Sequence, residues 1–289
     1  MKKTANASLT ATACGPLANK MLDQNLFGSI MGLTSRGAFM QIENDGIFFL
    51  SHEPWRGPLT INIKNPLSGL ELRAPLRIHA RQVHFPSINN SLHVPEKCVW
   101  EPELAQSLQS YEDQFVTLHN LAEALVTQKG PETWAVLLLV NDHSLSEGLA
   151  LLSRALRTAQ WDEALNALVP LMGMGRGLTP SGDDFTIGLL LALHHLKRLQ
   201  PDLNLPPISF VKQVKTIASQ VTTRLSASLI ECAAEGMADE RLMDALKGLL
   251  EGSLPFETLL AYLSEWGNSS GADALAGMAT ALNLQTSSR

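Results

Sequence analysis

The chemistry of this 289-residue chain is concentrated in one stretch, Met172-Gly173-Met174-Gly175-Arg176-Gly177-Leu178-Thr179-Pro180-Ser181-Gly182-Asp183-Asp184. Three alternate glycines permit backbone angles that other residues resist, and they let a ligand approach the main chain closely. A helical pattern, Phe185 to Leu199, begins at once. A helix start offers unpaired N–H groups and the positive end of a dipole, which favour an anion such as phosphate or carboxylate. Thr179 and Ser181 add hydroxyls. Gly177 to Gly182 has the spacing of a nucleotide-binding P-loop, but Asp183-Asp184 stands where Lys and Ser or Thr are required. Two carboxylates repel a bare triphosphate, so this is not a P-loop.

The device occurs twice. Asn268-Ser269-Ser270-Gly271-Ala272-Asp273-Ala274-Leu275-Ala276-Gly277 repeats the pattern Ser-Gly-x-Asp-x-x-x-Gly of Ser181 to Gly188. Asp184, Gly188 and Ala192 form one helical stripe, and Asp273, Gly277 and Ala281 form another. Small residues on matching faces let two helices pack closely, with both N-termini at one site. Asp183, Asp184 and Asp273 then lie near each other as candidate catalytic groups. Ordinary capping is the competing account: Ser181 to Asp184 fits a capping box, and Thr179-Pro180 fits a cap followed by proline. Capping explains one serine and one acid in each copy, but not the alternating glycines or the second carboxylate. An acidic cluster beside anion-binding turns suggests Mg²⁺, with Asp184 and Asp273 as ligands, because hard oxygen donors suit that ion.

Other candidates carry less. None of the eight histidines falls in an HExxH pattern; His194-His195 reads as surface or core filler, and His79, His84 and His93 are scattered. Cys14, Cys98 and Cys232 form no CxxC pair, and their wide spacing fits a reducing compartment. Cys232 reads as a buried structural thiol. Thr222, Thr223 and Ser226 are candidates to line the site, although helical hydroxyls often bond back to their own backbone.

The elements that must position these residues follow from pattern. Apolar residues make up 45% and charged residues 17%, a globular balance. The net charge of -6 and the scattered Lys and Arg argue against nucleic acid. No apolar run is long enough to span a membrane. Met1-Lys2-Lys3 imitates the head of a signal peptide, but Thr4 to Ala13 is too polar to continue one, so the expected location is cytoplasmic. The fold class expected is α+β, a β-rich part over residues 1–100 followed by a mostly helical part over 101–289. Phe27 to Gly32, Gly37 to Ile42, Gly46 to Leu50, Leu59 to Ile63 and Leu76 to Phe85 read as strands, with a hairpin signal at Asn44-Asp45-Gly46. The many prolines between them fit a small barrel or sandwich. Glu101 to Gln128 has helical spacing, with Leu104, Leu108, Tyr111, Phe115, Leu118, Leu121 and Leu125 on one face. Thr133 to Val140 is helix or strand; Leu145 to Ala159 and Trp161 to Leu168 read as helices, and from Asp184 the chain is helical almost to its end.

The glycine-rich, threonine-proline-serine, paired-aspartate signature resembles that of the AllH-like family, which includes a subunit of oxamate carbamoyltransferase from allantoin degradation. The resemblance runs through Val221 to Ser226, Ala233 to Gly236 and Gly267 to Gly277, covering roughly residues 165 to 285; the first hundred residues match loosely. It implies a subunit working with two companions, one FdrA-like, in purine catabolism. Together they would move a carbamoyl group between carbamoyl phosphate and a small acceptor such as oxamate. On that reading Gly173, Gly175, Gly177, Ser181 and Gly182, with Ser269, Ser270 and Gly271, contact substrate or phosphate. Arg176 and Thr179 support them, and Asp183, Asp184 and Asp273 hold a metal or the acceptor's amino group. The family often has proline where this chain has Arg176, which adds a cation beside the anion site. Two other classes fit the same residues: a non-catalytic assembly or regulatory subunit that binds an anionic metabolite, and a stand-alone enzyme handling Mg²⁺ and phosphate.

Overall fold

The computed structural model describes residues 9–43, 46–139 and 146–288. Met1 to Ser8, Asn44 and Asp45 of the expected hairpin turn, Val140 and Leu145 lie outside the described residues. The chain divides into two compact units, Met1–Pro102 and Glu103–Arg289.

The first unit is a closed eight-stranded barrel. Its strands are β1 (Leu9–Cys14), β2 (Leu26–Thr34), β3 (Gly37–Ile42), β4 (Ile47–Ser51), β5 (Thr60–Ile63), β6 (Pro75–His79), β7 (Gln82–Phe85) and β8 (Asn90–His93). A short helix, α1 (Pro16–Leu22), follows β1. Around the barrel the order is β1-β5-β4-β3-β2-β6-β7-β8, and β8 closes it by pairing parallel with β1. Alternation decides which side chains turn inward. In β3 Ala38, Met40 and Ile42 are buried while their neighbours are partly exposed; β6 buries Leu76 and Ile78 in the same way. These residues join Ile30, Phe48, Leu50, Ile61, Val83, Phe85 and Leu92 in one apolar interior. Each such side chain contributes about 1.5–3 kcal/mol by leaving water. Closure also removes the open edges that a sandwich of strands this short would carry.

The run from Leu76 to Phe85 is not continuous. It folds back at Ala80 and Arg81, both with left-handed backbone angles (φ 48° and 59°), and splits into the hairpin β6–β7. Neither residue type favours that region. Arg81 holds it from outside the hairpin: its N–H donates to the Leu22 carbonyl at 3.0 Å, and its guanidinium donates to the Val94 carbonyl, Asp23 and Asn19.

The second unit is helical: α2 (Tyr111–Lys129), α3 (Ser146–Arg157), α4 (Trp161–Leu168), α5 (Ser181–Leu199), α6 (Ile208–Val221), α7 (Arg224–Ala234), α8 (Glu240–Glu251), α9 (Phe256–Glu265) and α10 (Ser270–Leu282). Trp134–Leu138 is a 3-10 helix, which settles the Thr133 run for its described part. The helix expected from Glu101 begins instead at Tyr111. Ser110 caps it, its hydroxyl oxygen accepting from the Asp113 N–H at 3.1 Å. Upstream, the Gln106 and Gln109 N–H groups donate to Glu251 and to the Leu250 carbonyl, so they are unavailable to a helix. The buried stripe is accordingly narrower than the spacing suggests: Leu118, Leu121 and Leu125 are covered, whereas Phe115 is 53% exposed.

Helix α5 is the axis of this unit, buried along nearly its whole length. A Cβ on Gly188 would stand 2.0 Å from the Ala274 carbonyl oxygen, and one on Gly277 would stand 2.0 Å from that of Phe185. Backbones of α5 and α10 therefore touch, as the small-residue stripes predicted. Near their starts Ser181 meets Asp273 and Ser270 meets Asp184. Early residues meet early ones and later residues meet later ones, so α5 and α10 run parallel with both N-termini at one end. Helix α7 lies parallel too: Thr222 just before its start bonds Asp183, while His194 and His195 late in α5 face the carbonyls of Ala234, its last residue, and of Gly236 beyond its end.

Candidate functional site

The glycine loop sits over the common end of these helices. Gly173, Gly175 and Gly177 all have positive φ (75°, 114° and 110°), a region only glycine enters freely. At Gly175 the requirement is double, because a Cβ would stand 2.6 Å from the Ser181 backbone nitrogen. The loop from Gly173 to Leu178 is exposed. The N–H groups of Gly175, Arg176, Gly177 and Leu178 have no hydrogen-bond partner among the described residues. Exposed, unbonded amides at a helix start are what an anion needs. Gly182 serves differently: its N–H donates to the Met174 carbonyl at 2.9 Å, and a Cβ there would stand 1.7 Å from the Leu171 carbonyl oxygen. It closes the turn tightly.

The second turn is built the same way. The Gly271 N–H donates to the Trp266 carbonyl at 3.1 Å, and a Cβ on Gly271 would stand 1.8 Å from the Leu263 carbonyl oxygen. Gly267 takes a positive φ of 69° beside Ser270, as Gly175 does beside Ser181. The repeat read from the sequence is thus a repeat in space.

Capping does not account for the two serines. Pro180 occupies the cap position of α5 and Ser269 that of α10, and neither helix has a side-chain cap bond. The serines lie instead beside the carboxylates, Ser181 of α5 against Asp273 of α10 and Ser270 of α10 against Asp184 of α5, with Ser269 also beside Asp273. Thr179 also donates to Asp184, to Oδ2 at 3.2 Å. The Trp134 N–H donates to Oδ1 of Asp273 at 2.7 Å. Asp183 faces the other way, accepting from the Gly173 N–H at 2.8 Å and from the Thr222 hydroxyl. That carboxylate ties the loop to the start of α7. Thr223, which caps α7, donates to the Leu178 carbonyl at 3.3 Å and lies 3.1 Å from the Ser226 hydroxyl.

All three carboxylates are buried, at 0%, 1% and 0% exposure for Asp183, Asp184 and Asp273. Burial pushes the Asp184 carboxyl well above the ordinary aspartate range; the Ser270 hydroxyl opposes it, the Asp273 charge adds to it, and Thr179 opposes again. Burial likewise raises Asp273, against the pull of the Trp134 N–H and of Ser181 and Ser269. Among the described residues, Oδ1 of Asp184 and Oδ2 of Asp273 have no hydrogen-bond partner. Among the described residues no group of three or more His, Cys, Asp or Glu is placed to hold a metal. Asp184 and Asp273 remain as a pair.

The rest of the helical unit offers less. A cleft of about 890 Å³ lined by Leu108, Tyr111, Phe115, Leu199 and Gln285 has Glu112 as the one carboxylate in its lining. His195 is fully buried, and burial pushes its pKa down to about 4, as suits a neutral core histidine. Burial raises the Cys232 thiol far from the reactive range. The sequence reading missed Trp134, whose contribution is a backbone N–H, and it named Thr222, Thr223 and Ser226 without reading α7 as a third convergent helix start. The spacing Thr223-x-x-Ser226 was the one available signal for the latter.

No helix among the described residues is long and apolar enough to cross a membrane. Neither the curated proteins nor the solved structures yield a match to the chain. The stretch holding both serine-led helix starts and Thr222 does have a counterpart: residues 171–282 match the family model described as oxamate carbamoyltransferase subunit AllH.

Proposed function

We propose that the chain is the AllH-type subunit of a carbamoyltransferase complex, with carbamoyl phosphate taken up at the shared end of α5 and α10. One observation carries the reading. Two serine-led helix starts run parallel and interlock through crossed serine–aspartate pairs, beneath an exposed loop whose amides are unbonded. The family match over 171–282 supports the choice of chemistry.

In carbamoyl transfer the acceptor nitrogen attacks the carbonyl carbon, the bond from that carbon to the phosphate oxygen breaks, and the nitrogen loses a proton. Negative charge builds on the carbonyl oxygen and on the departing phosphate. Fixed N–H groups stabilise both without an activated side chain, and being held already they need no reorganisation. The amides of Gly175, Arg176 and Gly177 take the phosphate oxygens, assisted by the Ser181 and Ser270 hydroxyls and by the Arg176 charge. Gly173, Gly182 and Gly271 shape the turns, with Ser269 behind Asp273. Thr179 orients Asp184, and Asp183 braces the loop. Asp184 and Asp273 face the acceptor side. An acceptor of the oxamate kind and two companions, one FdrA-like, complete the proposal, which places the complex in the cytoplasm.

Full burial of the three aspartates favours one rival, an assembly or regulatory subunit that binds the anion while turnover belongs to a companion. Co-purification with both companions, followed by phosphate release from carbamoyl phosphate across several acceptors, separates the two. The proposal expects Asp184→Asn to abolish release by an intact complex. Unchanged release by that variant refutes a catalytic site here and leaves the regulatory reading.

A further inference from the structure

Two oxygens in this site are unaccounted for. Oδ1 of Asp184 and Oδ2 of Asp273 are buried, lie on neighbouring helix starts, and accept no hydrogen bond from the described residues. A carboxylate removed from water without a partner is costly, and two close together repel as well. The remaining oxygens of the pair are already used, Oδ2 of Asp184 by Thr179 and Oδ1 of Asp273 by the Trp134 N–H. No Lys, Arg or His forms an ion pair with either aspartate among the described residues. Helix dipoles favour negative charge here but give these two oxygens no partner atom.

We propose that Asp184 and Asp273 together hold one divalent cation of the Mg²⁺ class through these two free oxygens. The donor set is entirely oxygen, two carboxylates with the Ser181 and Ser270 hydroxyls beside them. Zinc prefers nitrogen and sulfur donors, and calcium takes six to eight oxygen ligands. Mg²⁺ is bound by one or two carboxylates while keeping waters or substrate phosphate oxygens, which fits a pair and no third acid. Asp183 takes no part, since both its oxygens accept bonds that hold the loop. The inference stands on this geometry and does not require that the anion be carbamoyl phosphate.

Mn²⁺ serves as the probe, its paramagnetic signal followed as the purified full-length chain is added at about pH 8, where carboxylates that are free to ionise do so. One Mn²⁺ per chain is expected, displaced by Mg²⁺ and lost in Asp184→Asn and in Asp273→Asn. The exposed Asp202→Asn control should retain it. Should either variant fold poorly, the unaltered chain still decides through its stoichiometry and through a rise in Tm on adding Mg²⁺. An unaltered chain that binds no Mn²⁺ at millimolar concentration overturns the proposal, and so does binding that survives both substitutions. The first result, joined to stability that grows on acidification, would mean that the pair shares a proton instead. Phosphate release by the assembled complex reads the carbamoyl proposal separately, so failure of one is not failure of the other.

Discussion

Replacing Gly188 by alanine tests the packing that brings the two turns together. In an exposed helix interior the change would stabilise by about 1 kcal/mol, because alanine loses less backbone entropy than glycine. Here the new methyl would stand 2.0 Å from the Ala274 carbonyl oxygen, 2.7 Å from its carbon and 2.9 Å from its Cα. All three are backbone atoms of α10, so no side chain can swing aside. Ordinary contact begins near 3.4 Å, and the helices must separate by roughly 1.4 Å to reach it. Overpacking of this kind costs about 1–3 kcal/mol, and the upper part of that range is expected where backbone must move. The net effect should be a loss of about 2 kcal/mol, or some 4–8 °C in Tm for a unit of this size. Separation would also pull Ser181 from Asp273 and Ser270 from Asp184, so phosphate binding should weaken with stability. Gly148→Ala in α3 is the matched control: its methyl would meet only the Leu171 side chain, at 3.7 Å, and it should stabilise by up to about 1 kcal/mol. Thermal and urea unfolding of both variants, with a phosphate titration, make the comparison. Gly188→Ala as stable as the unaltered chain would refute the direct backbone contact.

Thr222→Val removes the hydroxyl that donates to buried Asp183 and should cost about 1.5–3 kcal/mol, the range for bonds to charged groups. Because Asp183 also holds Gly173, trypsin should cut faster after the exposed Arg176. His195 predicts a pH dependence. Its folded pKa is pushed down to about 4 from an ordinary 6.5, so the unfolded chain binds more protons between those values. The stability is fully present above the ordinary value and is lost as pH falls through the window, by about 3 kcal/mol in total. His195→Leu should flatten that part of a urea-midpoint profile; an unchanged slope would show that the histidine is not the group responsible.

How much of this was legible depended on whether local pattern or distant contact decides the conformation. Strand β3 follows from its alternation, and α4 from its spacing, since each residue answers to a near neighbour. The split between β6 and β7 was not visible, because Ala80 and Arg81 carry no turn signature and are held by Leu22, Val94, Asp23 and Asn19. Strand β8, Asn-Ser-Leu-His, has one buried apolar residue and no period to read. The start of α2 moved because tertiary bonds took the upstream amides. At the site the paired turns were legible, since glycines and serines recur at matching positions. Trp134 was not. A backbone N–H leaves no trace in composition, and a sequence separation of 139 from Asp273 hides the pairing. The sequence also left open whether Ser181 caps its helix, and a cap and a place beside the carboxylate of the neighbouring helix call for the same residue.

The account rests on an anion settling on the loop amides where α5 and α10 begin. An amide-resolved NMR titration of the purified chain with inorganic phosphate tests that most directly. The resonances of Gly175, Arg176, Gly177 and Ser181, with those of Ser270 and Gly271, should shift together and saturate at one equivalent site. Phosphate that leaves these amides unmoved, or that shifts resonances elsewhere in their place, would contradict it.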